Sequence, residues 1–268
     1  RQPFLKYTYQ KMKAEMKQLI TILMTLTLLL AVSCGGGTGD GKGRRAGSRH
    51  EPDTGYTGTK SYFKDDVKVR EVTFNNGIRS GLSRTFYAGG VTEQEIMYSE
   101  GKKNGEAKWF YPDGKLFRVT PYLNDTISGT QIQYYKSGRI KARLDYVDGK
   151  RRPGLEEYTM SGSRVTDYPA VTYRAADEYR ERGVYKLFIE MTDKSENVKY
   201  YRGDFTDGLV DLSVCKPLLQ TSATGYLDLK KTEGHSADSV VVVAGYLTNQ
   251  GNRLYYRLAI PLPYKDLN

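Results

Sequence analysis

Aromatic residues and glycines recur on a 24-residue clock through the middle of this chain, and that clock restricts the possible folds more than any other feature. Phe74, Tyr98, Tyr122 and Tyr146 are each 24 residues apart, and twelve residues after each stands another aromatic: Phe86, Phe110, Tyr134 and Tyr158. Glycines keep the same time, with Asp66 and Asp125 standing in at two positions, so turn formers fall at 66, 77, 90, 101, 114, 125, 138, 149 and 162, with gaps that alternate between 11 and 13. Runs rich in Tyr, Phe, Val, Ile and Thr separate them. Such runs, bounded by pairs such as Asn76-Gly77, Asp113-Gly114 and Asp148-Gly149, read as consecutive β-hairpins with two strands per unit. A half unit, from Tyr62 to Thr73, precedes the first, and Gly154 arrives one residue late in the fourth. A hairpin unit of this size cannot bury its own aromatic face, so it needs neighbours on both sides and a cover at each end.

The unit Tyr-x-x-Gly-x-x-x-Gly-x-x-x-x-(Phe/Tyr)-Tyr-x-x-Gly resembles the MORN repeat, in particular the bacterial variety found in YwqK-like antitoxins. The resemblance covers residues 61–168, about four and a half units and two-fifths of the chain. It implies a curved single sheet of hairpins, reported in that family as a platform for protein assembly and for lipid contact.

The amino-terminal part reads as an address. Leu19 to Val32, "LITILMTLTLLLAV", is uncharged but only fourteen residues long. A spanning helix needs about 20 apolar residues, so the run is short for an anchor and suits the apolar core of an export signal at residues 1–33. Residues 1–15 match no part of such a signal, and Met16 is the expected native start. "LLLAVSC" followed by "GGG" resembles a bacterial lipobox, which implies that Cys34 is diacylated and becomes amino-terminal. Acyl chains contribute about 0.8 kcal/mol per buried methylene, enough for two or three of them to hold a protein on a membrane. Residues 34–60 are glycine-rich and read as a flexible tether.

Beyond Tyr168 the clock stops. Residues 169–183, with "RAADEYRERG", read as a linker or short helix, and 184–268 as a small β-sandwich-like domain of six or seven strands. Val184–Thr192, Val198–Phe205, Leu209–Val214, Gly225–Lys231, Ser239–Leu247 and Arg253–Ile260 are the strand candidates. "SVVVVAG" is apolar throughout, as a central strand buried on both sides would be. The expected fold is therefore all-β: an antiparallel hairpin-repeat sheet followed by a sandwich.

Composition narrows the function. Lys and Arg exceed Asp and Glu by ten, but residues 1–33 hold five of those cations and one acid, which leaves 36 against 30, a balance of +6. That is mild, and no nucleic-acid motif accompanies it, so no nucleic-acid partner is expected. The two histidines, His50 and His235, lie in the tether and in a loop, no metal-ligand spacing is present, and neither cofactor nor catalytic residues are expected. Trp109, the only tryptophan, stands beside Phe110 and Tyr111 with Lys102, Lys103 and Lys108 near by in sequence. With Tyr134 and Tyr135 these form the candidate binding surface. Asp125-Thr126 and Asp238-Ser239 fit a short bacterial O-glycosylation motif at Thr126 and Ser239. The leading expectation is a lipid-anchored envelope protein, periplasmic or surface-exposed on either membrane, acting as a non-catalytic scaffold for an envelope protein partner. A glycan- or cell-wall-binding lipoprotein using exposed aromatics is the alternative, and an enzyme with a site in the carboxy-terminal domain the third reading.

Overall fold

The computed structural model describes residues 55–268; the expected export signal, Cys34 and the tether up to residue 54 lie outside the described residues. The first 11 strands make one sheet. They are β1 (Gly58–Lys64), β2 (Val67–Asn75), β3 (Ile78–Phe86), β4 (Thr92–Ser99), β5 (Lys102–Phe110), β6 (Leu116–Leu123), β7 (Thr126–Ile127), β8 (Gly129–Tyr134), β9 (Ile140–Val147), β10 (Lys150–Arg151) and β11 (Glu156–Glu157). Each strand pairs antiparallel with its neighbour in sequence, as a meander should, with β6 paired to both β7 and β8 and β9 to both β10 and β11.

The clock is a turn clock. Every residue at 66, 77, 90, 101, 114, 125, 138, 149 and 162 has positive φ, from 61° at Asp66 to 97° at Gly162. In five hairpins the residue before it is also positive: Asp65, Asn76, Glu100, Asn124 and Asp148. Two consecutive left-handed residues define the type I′ turn, whose twist matches that of the strands it joins. Turns one repeat apart are also tied together, for the Gly101 N–H donates to the Arg79 carbonyl, that of Asp125 to Lys103 and that of Gly149 to Ile127, at 2.8, 2.9 and 2.8 Å.

The aromatics of the second motif have a different task. The hydroxyls of Tyr87, Tyr111 and Tyr135 donate to the carbonyls of Phe110, Tyr134 and Tyr158, at 2.7, 2.9 and 2.7 Å. This ladder sews each repeat to the next.

The remaining strands form two four-stranded sheets, ordered β12-β13-β17-β16 and β15-β14-β18-β19. They are β12 (Val171–Glu178), β13 (Val184–Met191), β14 (Val198–Arg202), β15 (Lys216–Pro217), β16 (Leu219–Thr221), β17 (Thr224–Lys230), β18 (Ser239–Leu247) and β19 (Arg253–Pro261). Leu187, Ile189, Met191 and Leu229 from one sheet meet Tyr200, Val242, Ala244 and Ile260 from the other in a single core. That is a sandwich. Val242 and Val243, adjacent on β18 and facing opposite ways, are both 0% exposed, so this strand is buried on both sides.

Three expectations need correction. The tether expected to run to residue 60 stops short of it, because Gly58, Thr59 and Lys60 pair with Phe74, Thr73 and Val72 as the start of β1. The segment expected to be a linker or short helix is strand β12, paired residue for residue with β13 from Val171↔Met191 to Glu178↔Val184, followed by one helical turn, α1 (Tyr179–Arg182). It is an edge strand: Val171, Tyr173 and Ala175 stand opposite the buried Met191, Ile189 and Leu187, and apart from Ala176 the other residues are polar. The Leu209–Val214 run is not a strand. The Asp211 carboxylate accepts from the Ser213 N–H at 3.1 Å and caps a 3-10 turn, Leu212–Val214, a local bond that competes with sheet pairing. Val210 instead donates to the Arg151 carbonyl of the repeat sheet at 2.8 Å. Among the described residues no helix is long and apolar enough to cross a membrane.

Candidate functional site

Strand alternation and register sort the repeat sheet into two faces of opposite character. One face carries Glu71, Arg84, Glu95 and Lys108, directly opposite one another on β2 to β5. Acids and bases neutralise each other there, with Arg84 at 2.9 Å from Glu95 and 3.9 Å from Glu71, Lys68 at 2.8 Å from Glu71, and Lys108 at 3.3 Å from Glu106. The Lys68 hydrogen bond, with Arg84 near by, holds the Glu71 carboxyl below the usual range.

The other face is a trough running across the strands. Its floor is a row of short side chains, Val72, Ser83, Ile96, Ala107 and Thr120, each opposite the next, with Ala107 and Thr120 at 0% and 1% exposure. One rim is the row Arg70, Thr85, Gln94, Trp109 and Arg118. The other carries Arg79 and Lys103, laid over the rings of Tyr98 and Tyr122 at 5.7 and 4.9 Å from the centroids. From β2 to β9 the strand carboxylates lie on the charge-paired face except that of Glu93, which accepts from the Thr85 hydroxyl on this rim at 3.4 Å. The side-chain cations of Arg70, Arg79, Lys103 and Arg118 form no ion pair with a carboxylate among the described residues. Arg118 stacks 4.1 Å above Trp109, and its Nε is buried without a hydrogen-bond partner. A cavity of about 150 Å³ opens in the trough over β2 to β4, lined by Arg70, Arg79, Thr85, Gln94 and Tyr98.

The trough is filled at its carboxy-terminal end by the chain itself. There the turn between β18 and β19 reaches in, with Asn252 accepting from the Gln133 amide at 2.8 Å and Gln250 donating to the Tyr158 carbonyl at 2.9 Å. Glu157, 1% exposed, accepts from Thr248, Asn252 and Tyr168 at 2.8, 2.7 and 3.0 Å. Burial, then the bond to Glu157, pushes the Tyr168 phenol strongly upward. Tyr135 is also raised, chiefly by burial, and its hydroxyl lies 3.1 Å from Gln250 Oε1.

The residues singled out from sequence do not converge. Trp109 and Lys108 face opposite ways on β5, and Lys102 and Lys103 lie at that strand's other end, about 20 Å away at 3.3 Å per residue. Trp109 is half-buried beneath Arg118 instead of forming an open stacking platform. Tyr111 and Tyr135 are held in the hydroxyl ladder, while alternation sets Phe110 and Tyr134 on the opposite face. Thr126 and Ser239 are both exposed, at a hairpin tip and at the start of β18. In the sandwich, the Asp204 carboxylate is gripped by both Arg257 nitrogens at 2.7 Å, and Asp211 by Lys150 at 2.7 Å. Cys215 is a buried free thiol, raised by burial, with Sγ 3.5 Å from the Asp211 carbonyl.

What sequence reasoning missed was Arg70, Arg79, Gln94 and Arg118. The clock itself holds the signal: Arg70, Gln94 and Arg118 occupy one position in successive units, and Arg79 and Lys103 another. Residues 103–124, from β5 through β6, match the MORN repeat variant, so the chain carries a MORN-type repeat. No curated protein matches the chain.

Proposed function

We propose that this chain is a lipid-anchored bacterial envelope protein whose repeat sheet is a non-catalytic scaffold for a protein partner. The observation that carries the scaffold reading is the segregation of charge: one face with its acids and bases paired, the other a trough with four cationic side chains that form no ion pair among the described residues. A surface that served only to pack its neighbours would gain nothing from leaving Arg70, Arg79, Lys103 and Arg118 without counter-ions. The MORN-type repeat supports a repeat-based interaction role. The anchor rests on the sequence around Cys34 and on the apolar run before it. A glycan platform built on Trp109 is less well supported, because the Arg118 guanidinium covers that ring.

Two experiments test the two parts separately. Cys34→Ser should release the protein from membranes and abolish fatty-acid labelling; persistent labelling would remove the lipoprotein claim. Crosslinking in intact envelopes, followed by mass spectrometry, should recover a defined protein with crosslinks on β2 to β6. Crosslinks confined to the sandwich would transfer the scaffold role there.

A further inference from the structure

The two sheets of the sandwich have unlike outer sides. That of β15-β14-β18-β19 is closed within the chain, for Val243 and Gly245 are buried there and the Arg151 guanidinium of the repeat sheet lies 5.8 Å from the Tyr255 ring. That of β12-β13-β17-β16 is open. Because Leu187, Ile189, Leu227 and Leu229 enter the core, alternation turns Lys186, Phe188, Tyr226 and Asp228 outward. Register then lines up one residue from each strand: Arg174 opposite Phe188, Phe188 opposite Tyr226, and Tyr226 opposite Leu219. Arg174 lies 3.9 Å above the Phe188 ring, Tyr226 meets that ring edge-on at 5.8 Å, and Leu219 ends the row 82% exposed. A solvated sheet face is normally polar, yet this row is apolar across three strands. We infer that this face is a self-association surface, on which a second copy of the chain docks about a two-fold axis lying along the strands between β13 and β17.

Charge selects the occupant. Beside the apolar row, Lys186 on β13 stands opposite Asp228 on β17, but Lys186 turns to Glu178 at 2.7 Å and Asp228 forms no ion pair among the described residues. A two-fold axis along the strands sets β13 over the partner's β17, and β12 over its β16, without changing the row. Phe188 then packs on the partner's Tyr226, Arg174 covers the partner's Leu219, and Lys186 reaches the partner's Asp228, each contact being made twice. Val184 falls on the partner's Lys230, so like charges meet in none of these pairs. An axis along the row would instead stack Arg174 on the partner's Arg174. The strands β12, β13 and β17 are 8, 8 and 7 residues long, which gives a face of about 20 by 25 Å at 3.3 Å per residue and 4.8 Å per strand. Two such faces bury on the order of 1,000 Å², the lower bound for a specific association, so the dimer is weak and reversible.

The test is sedimentation velocity of the full chain in density-matched detergent, over about a hundredfold range of concentration. Wild type should pass reversibly from monomer to dimer. Leu219→Ser with Tyr226→Ser should weaken association at least tenfold, while Met160→Ser, at an exposed methionine outside the sandwich, should leave it unchanged. Charge exchange is the sharper arm. Asp228→Lys sets lysine against lysine across the axis and Lys186→Asp sets aspartate against aspartate, so each variant alone should associate at least tenfold more weakly. Mixed one to one, the two should recover association, because both contacts of the mixed dimer then join a lysine to an aspartate. Circular dichroism and melting of each variant separate lost association from lost folding. A wild type that stays monomeric throughout, a dimer that persists in Leu219→Ser with Tyr226→Ser, an equal loss in Met160→Ser, or a mixture no tighter than its components would each overturn the inference. Failure here leaves the scaffold reading untouched, since that reading is scored by crosslinks to a different protein on β2 to β6.

Discussion

The Tyr111 hydroxyl donates to the backbone carbonyl of Tyr134, 2.9 Å away and 23 residues further along the chain. The donor closes one hairpin loop, because the Tyr111 N–H bonds the Lys115 carbonyl and its own carbonyl accepts from Gly114. The acceptor ends the strand that leads to the next such loop. One side chain thus fixes the distance between successive repeats, and Phe117 packs edge-on against its ring at 5.1 Å to hold it there. Burial pushes the Tyr111 phenol upward, which keeps it a donor through the physiological range.

Tyr111→Phe keeps the ring and removes only this bond. A neutral hydrogen bond contributes about 1 kcal/mol net, and in a folded unit of this size that corresponds to a fall of about 2–4 °C in Tm. Tyr135→Phe should cost more, because the same hydroxyl also meets Gln250 of the sandwich. Thermal melts of the two single variants and the double check both statements. Equal losses would mean that the Gln250 contact contributes nothing.

Asp125 stands where the other units have glycine, at φ 69°. Its carboxylate accepts from the Lys103 N–H at 2.8 Å, so the side chain contributes a bond that glycine lacks while tolerating the left-handed backbone. Gly101 is the equivalent residue one repeat earlier, at φ 80°, with Arg79 in the place of Lys103. Gly101→Asp should therefore change stability by less than about 1 kcal/mol, whereas Gly101→Val, a β-branched residue forced left-handed, should cost clearly more. Gly129 is less forgiving: at φ 111°, an added Cβ would also lie 3.1 Å from Pro121 Cγ. Gly129→Ala should be worse than Gly138→Ala, where no atom lies within 4 Å, and denaturant midpoints would rank them.

The repeat sheet was legible in the sequence because its turns demand it. Asn76-Gly77 and Asp148-Gly149 are chemically marked for the left-handed pair a type I′ turn requires, and a fixed period multiplies that signal. The faces were harder to read. Which cations share the trough depends on register shifts between Val72 and Phe74 and between Ile96 and Tyr98, which a strict alternation count does not foresee. The lysines near Trp109 are neighbours in sequence but are dispersed along β5 and between its faces. Edge strand β12 was hidden by its polar outer side. The seat of the sandwich on the array depends on pairs such as Glu157 and Thr248, 91 residues apart, for which no local pattern exists.

Asp211 gives the protein an acid-side dependence. The Lys150 ammonium, then the Ser213 hydroxyl and N–H, hold its carboxyl down to about 2. An unfolded aspartate titrates near ~3.9, so the depressed group stabilises the folded state above that pH, and the contribution is lost as pH falls from about 4 to about 2. Lys150 belongs to β10 and Asp211 to the segment crossing from the sandwich, so the loss falls on their junction. Wild-type denaturant midpoints should drop over that interval, and the difference between wild type and Asp211→Asn should shrink towards zero. A constant difference from pH 5 to pH 2 would exclude Asp211 as the titrating group.

Glu157 makes the strongest demand on that junction. It is 1% exposed, and its two oxygens accept three bonds, two from the turn after β18 and one from Tyr168. Glu157→Ala leaves the Thr248, Asn252 and Tyr168 donors buried and unmatched, each at about 1–3 kcal/mol if nothing replaces the acceptor. Glu157→Gln fills the same space but offers one acceptor oxygen and a donating amide that faces other donors, so it should fall between alanine and wild type. The larger consequence is for cooperativity. The array needs a cover at its carboxy-terminal end, and the sandwich reaches it through this carboxylate, so wild type should melt in one calorimetric transition. In Glu157→Ala the two parts should separate, with the array melting first because its last repeat has lost that cover. If Glu157→Ala still unfolds in a single transition at a slightly lower temperature, the bonds from Gln250 and from Val210 to Arg151 carry the coupling, and the buried carboxylate only fits the space between them.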